Sequence, residues 1–134
     1  MMRPAGCRGR RGSDAGALTL SYVIIVPVFL LAVMVIAQAS LWFLARQAAL
    51  AAARQGANAA RVTGAPAGAG PGAALAFARS AASGYLLSPS ANGSGSTAST
   101  VQIIVSGHVP TIVPGLVVTV TEAAQAPVEK FTAP

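Results

Sequence analysis

The stretch "GALTLSYVIIVPVFLLAVMVIAQASLWFLA", residues 16–45, carries no charged side chain. A helix over residues 17–45 would be about 43 Å long at about 1.5 Å per residue. The hydrocarbon core of a bilayer needs only about 30 Å, or about 20 residues. Trp42 and Phe43 near the far end are typical of an interfacial position. We call residues 16–45 the apolar run, and it predicts a transmembrane helix over 17–45.

A cleaved secretory signal is the main alternative for the apolar run. Such signals combine a basic head, an apolar core of about 7–15 residues and a small-x-small cleavage site. Ala37-Gln38-Ala39 matches the pattern of such a site, so cleavage that gives a secreted product beginning at Ser40 remains an alternative. The length of the run favours the permanent anchor.

The flanks of the run bear on its orientation. The basic head, residues 1–16, contains four arginines, Arg3, Arg8, Arg10 and Arg11. Three arginines, Arg46, Arg54 and Arg61, follow the run. Arginine counts on the two sides are therefore nearly equal. The tail has the character of an exported module, which favours a cytoplasmic N-terminus in a single-pass protein of the plasma membrane.

Composition and motifs narrow the classes of function. The chain is 54% hydrophobic and 9% charged, with a net charge of +6, and no aromatics interleave with its basic residues as a nucleic-acid surface requires. Cys7 is the single cysteine and His108 has no carboxylate or cysteine nearby in sequence, so neither disulfide nor metal site is predicted. Phosphate-binding glycine patterns, a nucleophile with its base and paired carboxylates are also missing. We expect no catalytic, cofactor-binding or small-molecule site, and no enzyme.

Residues 46–62 predict an alanine-rich helix that continues the span. At about 100° per residue, the polar residues Gln47, Arg54, Asn58 and Arg61 share one stripe. The opposite side is made of small residues on which another backbone can approach closely. We call its predicted packing residues, Ala49, Ala52, Gly56 and Ala59, the small-residue face. A general excess of alanine would produce the same pattern.

Residues 63–134 predict a small extracytoplasmic α+β module. A Gly/Pro connector leads to a short helix around 72–85, and residues 88–99 form a Gly/Ser-rich loop. Alternating residues at 100–109 and 115–123 predict two strands of an antiparallel hairpin or small sheet, with turn residues between them. The fold class is thus α+β, with one transmembrane helix that continues into an alanine-rich helix.

An ordered set of motifs resembles the TadE-like proteins of tight-adherence pilus systems. The set comprises a basic head, an apolar span with a proline, and then Arg46-Gln47-Ala48, residues 53–57 (ARQGA) and Ala60-Arg61. The tail "VTVTEAAQAPVEKF" resembles the final strand of these proteins more loosely. The resemblance implies a non-catalytic component of pilus assembly whose partners are the lipid bilayer and other pilin-like or pilus-assembly membrane proteins.

Processing by a prepilin-type peptidase would cut between Gly16 and Ala17. In pilin-like stems a glutamate at the fifth position of the cut chain meets the amine of a neighbour, whereas this chain has Ser21 there. A buried carboxylate without a partner is costly, so the serine indicates that no such amine is buried beside it. A secreted binding module and an accessory subunit of another membrane secretion complex are the competing hypotheses.

Overall fold

The computed structural model describes the backbone of residues 14–130 and the side chains of residues 21–130. Most of the predicted basic head, with Cys7, and the last four residues lie outside the described residues. The elements are α1 (Asp14–Ala60), α2 (Ala69–Ala81), β1 (Leu87–Asn92), β2 (Thr100–Val109) and β3 (Val118–Pro127). The predicted α+β class is confirmed, with a long apolar N-terminal helix, a short helix and an antiparallel sheet.

The chain divides into two compact units between Ile36 and Ala37. In its described part, the first unit is the N-terminal portion of α1, whose large apolar side chains from Tyr22 to Ile36 are exposed. Pro27 lies inside this portion. Within the described residues, α1 is the one helix long and apolar enough to cross a membrane.

The second unit, here the C-terminal unit, comprises the rest of α1, α2 and a three-stranded sheet in the order β1-β2-β3. Strand β2 pairs with β3 without interruption, from Thr100 opposite Pro127 to Val109 opposite Val118. Alternate residues of β2 are buried, because successive side chains of a strand point to opposite faces. One face of the sheet therefore forms a core with the two helices.

Two predicted boundaries differ from the structure. The short helix occupies Ala69–Ala81 instead of 72–85, because Pro71 lies in its first turn, where a missing N–H costs nothing. The last strand is Val118–Pro127 instead of 115–123. Pro114 and Gly115 are used in the preceding turn, and β3 then follows β2 along its whole length.

The prediction of a loop over residues 88–99 was wrong for its first part. Strand β1 covers Leu87–Asn92 and pairs with β2 at the edge of the sheet. Its composition is polar, but an edge strand buries only part of its surface and tolerates Pro89. Ser90 and Ser106 join their hydroxyls across the pair at 2.8 Å, and Ser88, at φ 47°, lies in the bulge between Leu87 and Ser90.

Small side chains dominate the core. Among the described residues, the largest side chains with less than 2% exposure are Leu86, Ile103 and Val105. Gly107 leaves room for Leu86, since a Cβ at that glycine would lie 2.6 Å from Leu86 Cδ1. The other buried apolar residues are Ala45, Ala49, Ala52, Ala53, Ala57, Ala74, Ala78, Ala82, Val101, Val109, Val120 and Ala126.

The helices α1 and α2 approach each other through two glycines. A Cβ on Gly56 would lie 2.6 Å from the carbonyl oxygen of Gly70, and a Cβ on Gly70 would lie 3.1 Å from that of Gly56. Ile103 fills the remaining space, because its Cγ2 and Cδ1 lie 3.0 Å and 2.6 Å from these two Cβ positions. Any side chain at Gly56 or Gly70 would therefore force backbone to move.

We predict that Gly56→Ala lowers the free energy of unfolding by about 1–3 kcal/mol, the usual cost of overpacking. It does so although alanine favours an isolated helix by about 1 kcal/mol. Gly72→Ala is the matched control, because a Cβ at Gly72, also helical, has no atom within 4 Å. Urea titration of the full chain in detergent, followed by circular dichroism, measures both. Equal stability of the two variants would contradict a close contact at Gly56.

Candidate functional site at the helix–sheet junction

The small-residue face of α1 packs against α2 and the sheet inside the C-terminal unit. Ala49 and Ala52 are fully buried, Gly56 is buried, and Ala59 is half-buried. The covering atoms at Gly56 come from α2 and β2 of the same chain. Another backbone therefore packs closely against the small-residue face, and that backbone is part of the same chain.

The polar stripe lies on the opposite side of the same helix. Gln47, Arg54 and Asn58 are exposed, and Arg61 is half-buried just beyond the end of α1. The division into a buried small side and an exposed polar side follows the 100° periodicity. This leaves the polar stripe as the accessible surface of the helix above the apolar run.

Arg46 and Glu122 form the central polar contact between α1 and the sheet. Arg46 Nε lies 2.6 Å from Glu122 Oε1, and the two side chains retain 50% and 18% of their exposure. The guanidinium carbon of Arg46 lies 5.6 Å from the ring centroid of Trp42, which is within cation–π range. The first charge after the apolar run is therefore held by an acid of β3 and an aromatic residue of the run.

A second contact joins the end of α1 to the segment after β3. The amide of Glu129 donates to the carbonyl of Arg61 at 3.0 Å, and Thr63 Oγ1 donates to the carbonyl of Glu129 at 2.7 Å. The carboxylate of Glu129 lies 3.6 Å from Arg61 Nε. These contacts attach the chain after the sheet to the helix end.

A third contact joins α1 to the loop between β2 and β3. Gln38 Oε1 accepts a hydrogen bond of 3.0 Å from the amide of Ile112. Gln38 Nε2 donates to the carbonyl of Pro110 at 3.5 Å. Gln38 belongs to the apolar run, so the run itself supplies a hydrogen-bonding group to the sheet's loop.

The other residues that the sequence analysis considered as possible functional residues lie apart from this junction. Gly16 and Ala17 fall at the start of α1, and their side chains are outside the described residues. Ser21, at the pilin fifth position, is exposed. His108 is exposed, with its Nδ1 3.3 Å from Thr119 Oγ1. Among the described residues, no three of His, Cys, Asp and Glu lie close enough to share a metal ion.

Two junction residues were missed by the sequence analysis, although each left a signal. Glu122 was not among the predicted site residues, yet it shares the strand alternation of Val118 and Val120, which predicts the inner face of the sheet. Gln38 was considered only as part of a cleavage-site pattern. A lone amide in an apolar run requires a hydrogen-bonding partner, which here is the β2–β3 loop.

Comparisons with known proteins agree with the sequence resemblance. No curated protein and no solved structure matches the chain. A family model described as TadE-like protein matches residues 16–58. This segment contains the apolar run and most of the small-residue face. The match agrees with the resemblance stated from the sequence, since residues 16–58 are similar to TadE-like proteins.

Proposed function

We propose that the protein is a non-catalytic, single-pass membrane component of a pilus-assembly or pilin-like system in the cell envelope. The observation that carries the proposal is the coincidence of the TadE-like segment, residues 16–58, with the apolar helix and its junction. The arrangement is suited to holding a small unit on a membrane helix. Its contacts are packing, ion pairing and backbone hydrogen bonds.

The junction supports a retained helix over a cleaved secretion signal. Cleavage after Ala39 would remove Gln38, which bonds both Pro110 and Ile112 of the β2–β3 loop. A secreted module beginning at Ser40 would therefore lose part of its own structure.

The proposed orientation has the N-terminus in the cytoplasm and the C-terminal unit outside. Four arginines precede the apolar run and three follow it closely, so arginine counting favours this orientation by one residue. A sheet-containing unit that lacks cysteine is compatible with export. In this orientation the basic head would face the anionic lipids of the cytoplasmic leaflet.

Partners in the assembly would meet the chain on surfaces that its own fold leaves open. The small-residue face is covered, whereas the polar stripe with Arg54 and Asn58 is exposed. The apolar side chains from Tyr22 to Ile36 are exposed as well, and in a membrane they are available to lipid or to another helix. Other pilin-like membrane proteins are the proposed partners.

The intact mass of the protein from membrane fractions should correspond to a chain that retains residues 17–45. A start at Met1 would indicate a plain anchor, and a start at Ala17 would indicate a prepilin stem. Both keep the span and the Gln38 contact. A product that begins at Ser40 would contradict the proposed anchor and favour secretion.

A reporter that is active only outside the cytoplasm, fused after Pro134, should be active. The same reporter fused before Met1 should be inactive and serves as the control for orientation. Activity of the N-terminal fusion alone would place the C-terminal unit in the cytoplasm and contradict a role in extracytoplasmic assembly.

Val33→Arg should abolish the function through loss of the span. Val33 lies in the exposed apolar portion of α1, and arginine near the centre of a span costs about 2.5–3.5 kcal/mol on the insertion scale. In a deletion strain, Val33→Leu should restore surface pili as the natural chain does, whereas Val33→Arg should not. Pili that assemble normally in the deletion strain would contradict the proposed role.

A further inference from the structure

The loop between β2 and β3, residues 110–117, presents an apolar surface. Ile112, Val113, Leu116 and Val117 are 46%, 41%, 43% and 75% exposed. The loop sequence, PTIVPGLV, contains no charged residue. Neighbouring exposed apolar side chains on a small domain mark a surface that is covered in the working protein.

The loop is ordered by its own turn. The amide of Leu116 donates to the carbonyl of Val113 at 3.3 Å, with Pro114 and Gly115 at the two central positions. Gly115 has φ 84°, as the third residue of a type II turn requires. Thr111 Oγ1 also donates to the carbonyl of Leu116 at 2.9 Å. The turn thereby holds its apolar side chains in fixed positions.

Several backbone groups of the loop are already hydrogen-bonded within the chain. Besides the turn, Gln38 engages the Pro110 carbonyl and the Ile112 amide. Pro110 and Pro114 have no amide hydrogen to satisfy. Each backbone group bonded internally lowers the cost of moving a loop from water into an apolar environment.

Gln38 also fixes the level of the loop along α1. It lies inside the apolar run, four residues before Trp42, which corresponds to about 6 Å along a helix axis. The first charge after the run, Arg46, lies further from the span. Trp42 is the residue expected at the lipid–water interface, so the loop lies on the span side of the interfacial aromatic.

We propose that the β2–β3 loop inserts its apolar side chains into the outer lipid–water interface beside α1. The occupant of this surface is the bilayer, because the loop is attached to a residue of the apolar run and carries no charge. Gln38 is the positioning residue that holds the loop at this level. The inference rests on the proposed span and adds a second contact between the chain and the membrane.

Site-specific fluorescence in vesicles tests this proposal. Because Cys7 is the single cysteine, a Cys7→Ser background allows one environment-sensitive probe at each of three positions. Val117→Cys reports the loop, Val33→Cys the span, and Ala98→Cys, in the exposed turn at the other end of β2, the aqueous control. The full-length variants are reconstituted in phosphatidylcholine vesicles with no nitroxide, with a nitroxide on the upper acyl chain, or with a nitroxide near the end of the acyl chain, which reaches the depth of position 33.

The expected result is blue-shifted emission at positions 33 and 117 that nitroxide lipid largely quenches, with neither effect at 98. Adding Gln38→Leu, which keeps the run uncharged, should reduce quenching at 117 and leave that at 33 unchanged. Unchanged quenching at 117 in that variant would overturn the positioning role of Gln38.

Failure of the loop proposal can be told from failure of the span. A probe at 117 that behaves like the one at 98, while 33 is quenched, overturns lipid insertion and leaves the span in place. Blue-shifted emission at 117 without quenching would mean that protein, not lipid, covers the loop, and this result would also overturn the proposed lipid insertion. Absence of quenching at 33 would contradict the span itself.

Discussion

The close approach of α1 and α2 at Gly56 and Gly70 is the contact on which the C-terminal unit depends. Alanine buries little surface, and the burial of apolar area contributes only about 25 cal/mol per Å². A core made mostly of alanine must therefore bring its backbones together to exclude water. Ile103 then occupies the hollow between the two glycines, where one large side chain contacts both helices.

Because α1 from Ala37 onward supplies one wall of this core, that portion of the helix is part of the C-terminal unit. Contacts at Gln38, Arg46 and Arg61 tie successive levels of the helix to the loop, the sheet and the segment after it. Partly exposed ion pairs contribute only about 0–1 kcal/mol each. These contacts fix the position of the sheet along the helix, whereas the packing of the core provides most of the stability.

The sequence predicted those elements whose pattern is local. The apolar run, the alternation of β2 and the division of α1 into small and polar sides all depend on residues close in the chain, and the structure contains each of them. Strand β1 was missed because its polar residues become a strand only by pairing with β2. The partner of the small-residue face was likewise not predictable, since an alanine surface accepts any close backbone and its sequence does not distinguish α2 from another chain.

The change of side-chain size along α1 follows from a change of surroundings. From Tyr22 to Ile36 the helix exposes bulky aliphatic and aromatic residues. Such residues suit a lipid environment, because exposing a large apolar side chain to lipid does not carry the free-energy cost that it has in water. From Ala45 onward the buried residues of α1 are small. Small side chains allow another backbone to pack closely against the helix, and this close packing stabilises the contact. The first portion, which is rich in Val and Ile and contains Pro27, has the lower intrinsic helix propensity, and the alanine-rich portion has the higher. The TadE-like segment, residues 16–58, contains this change in side-chain volume.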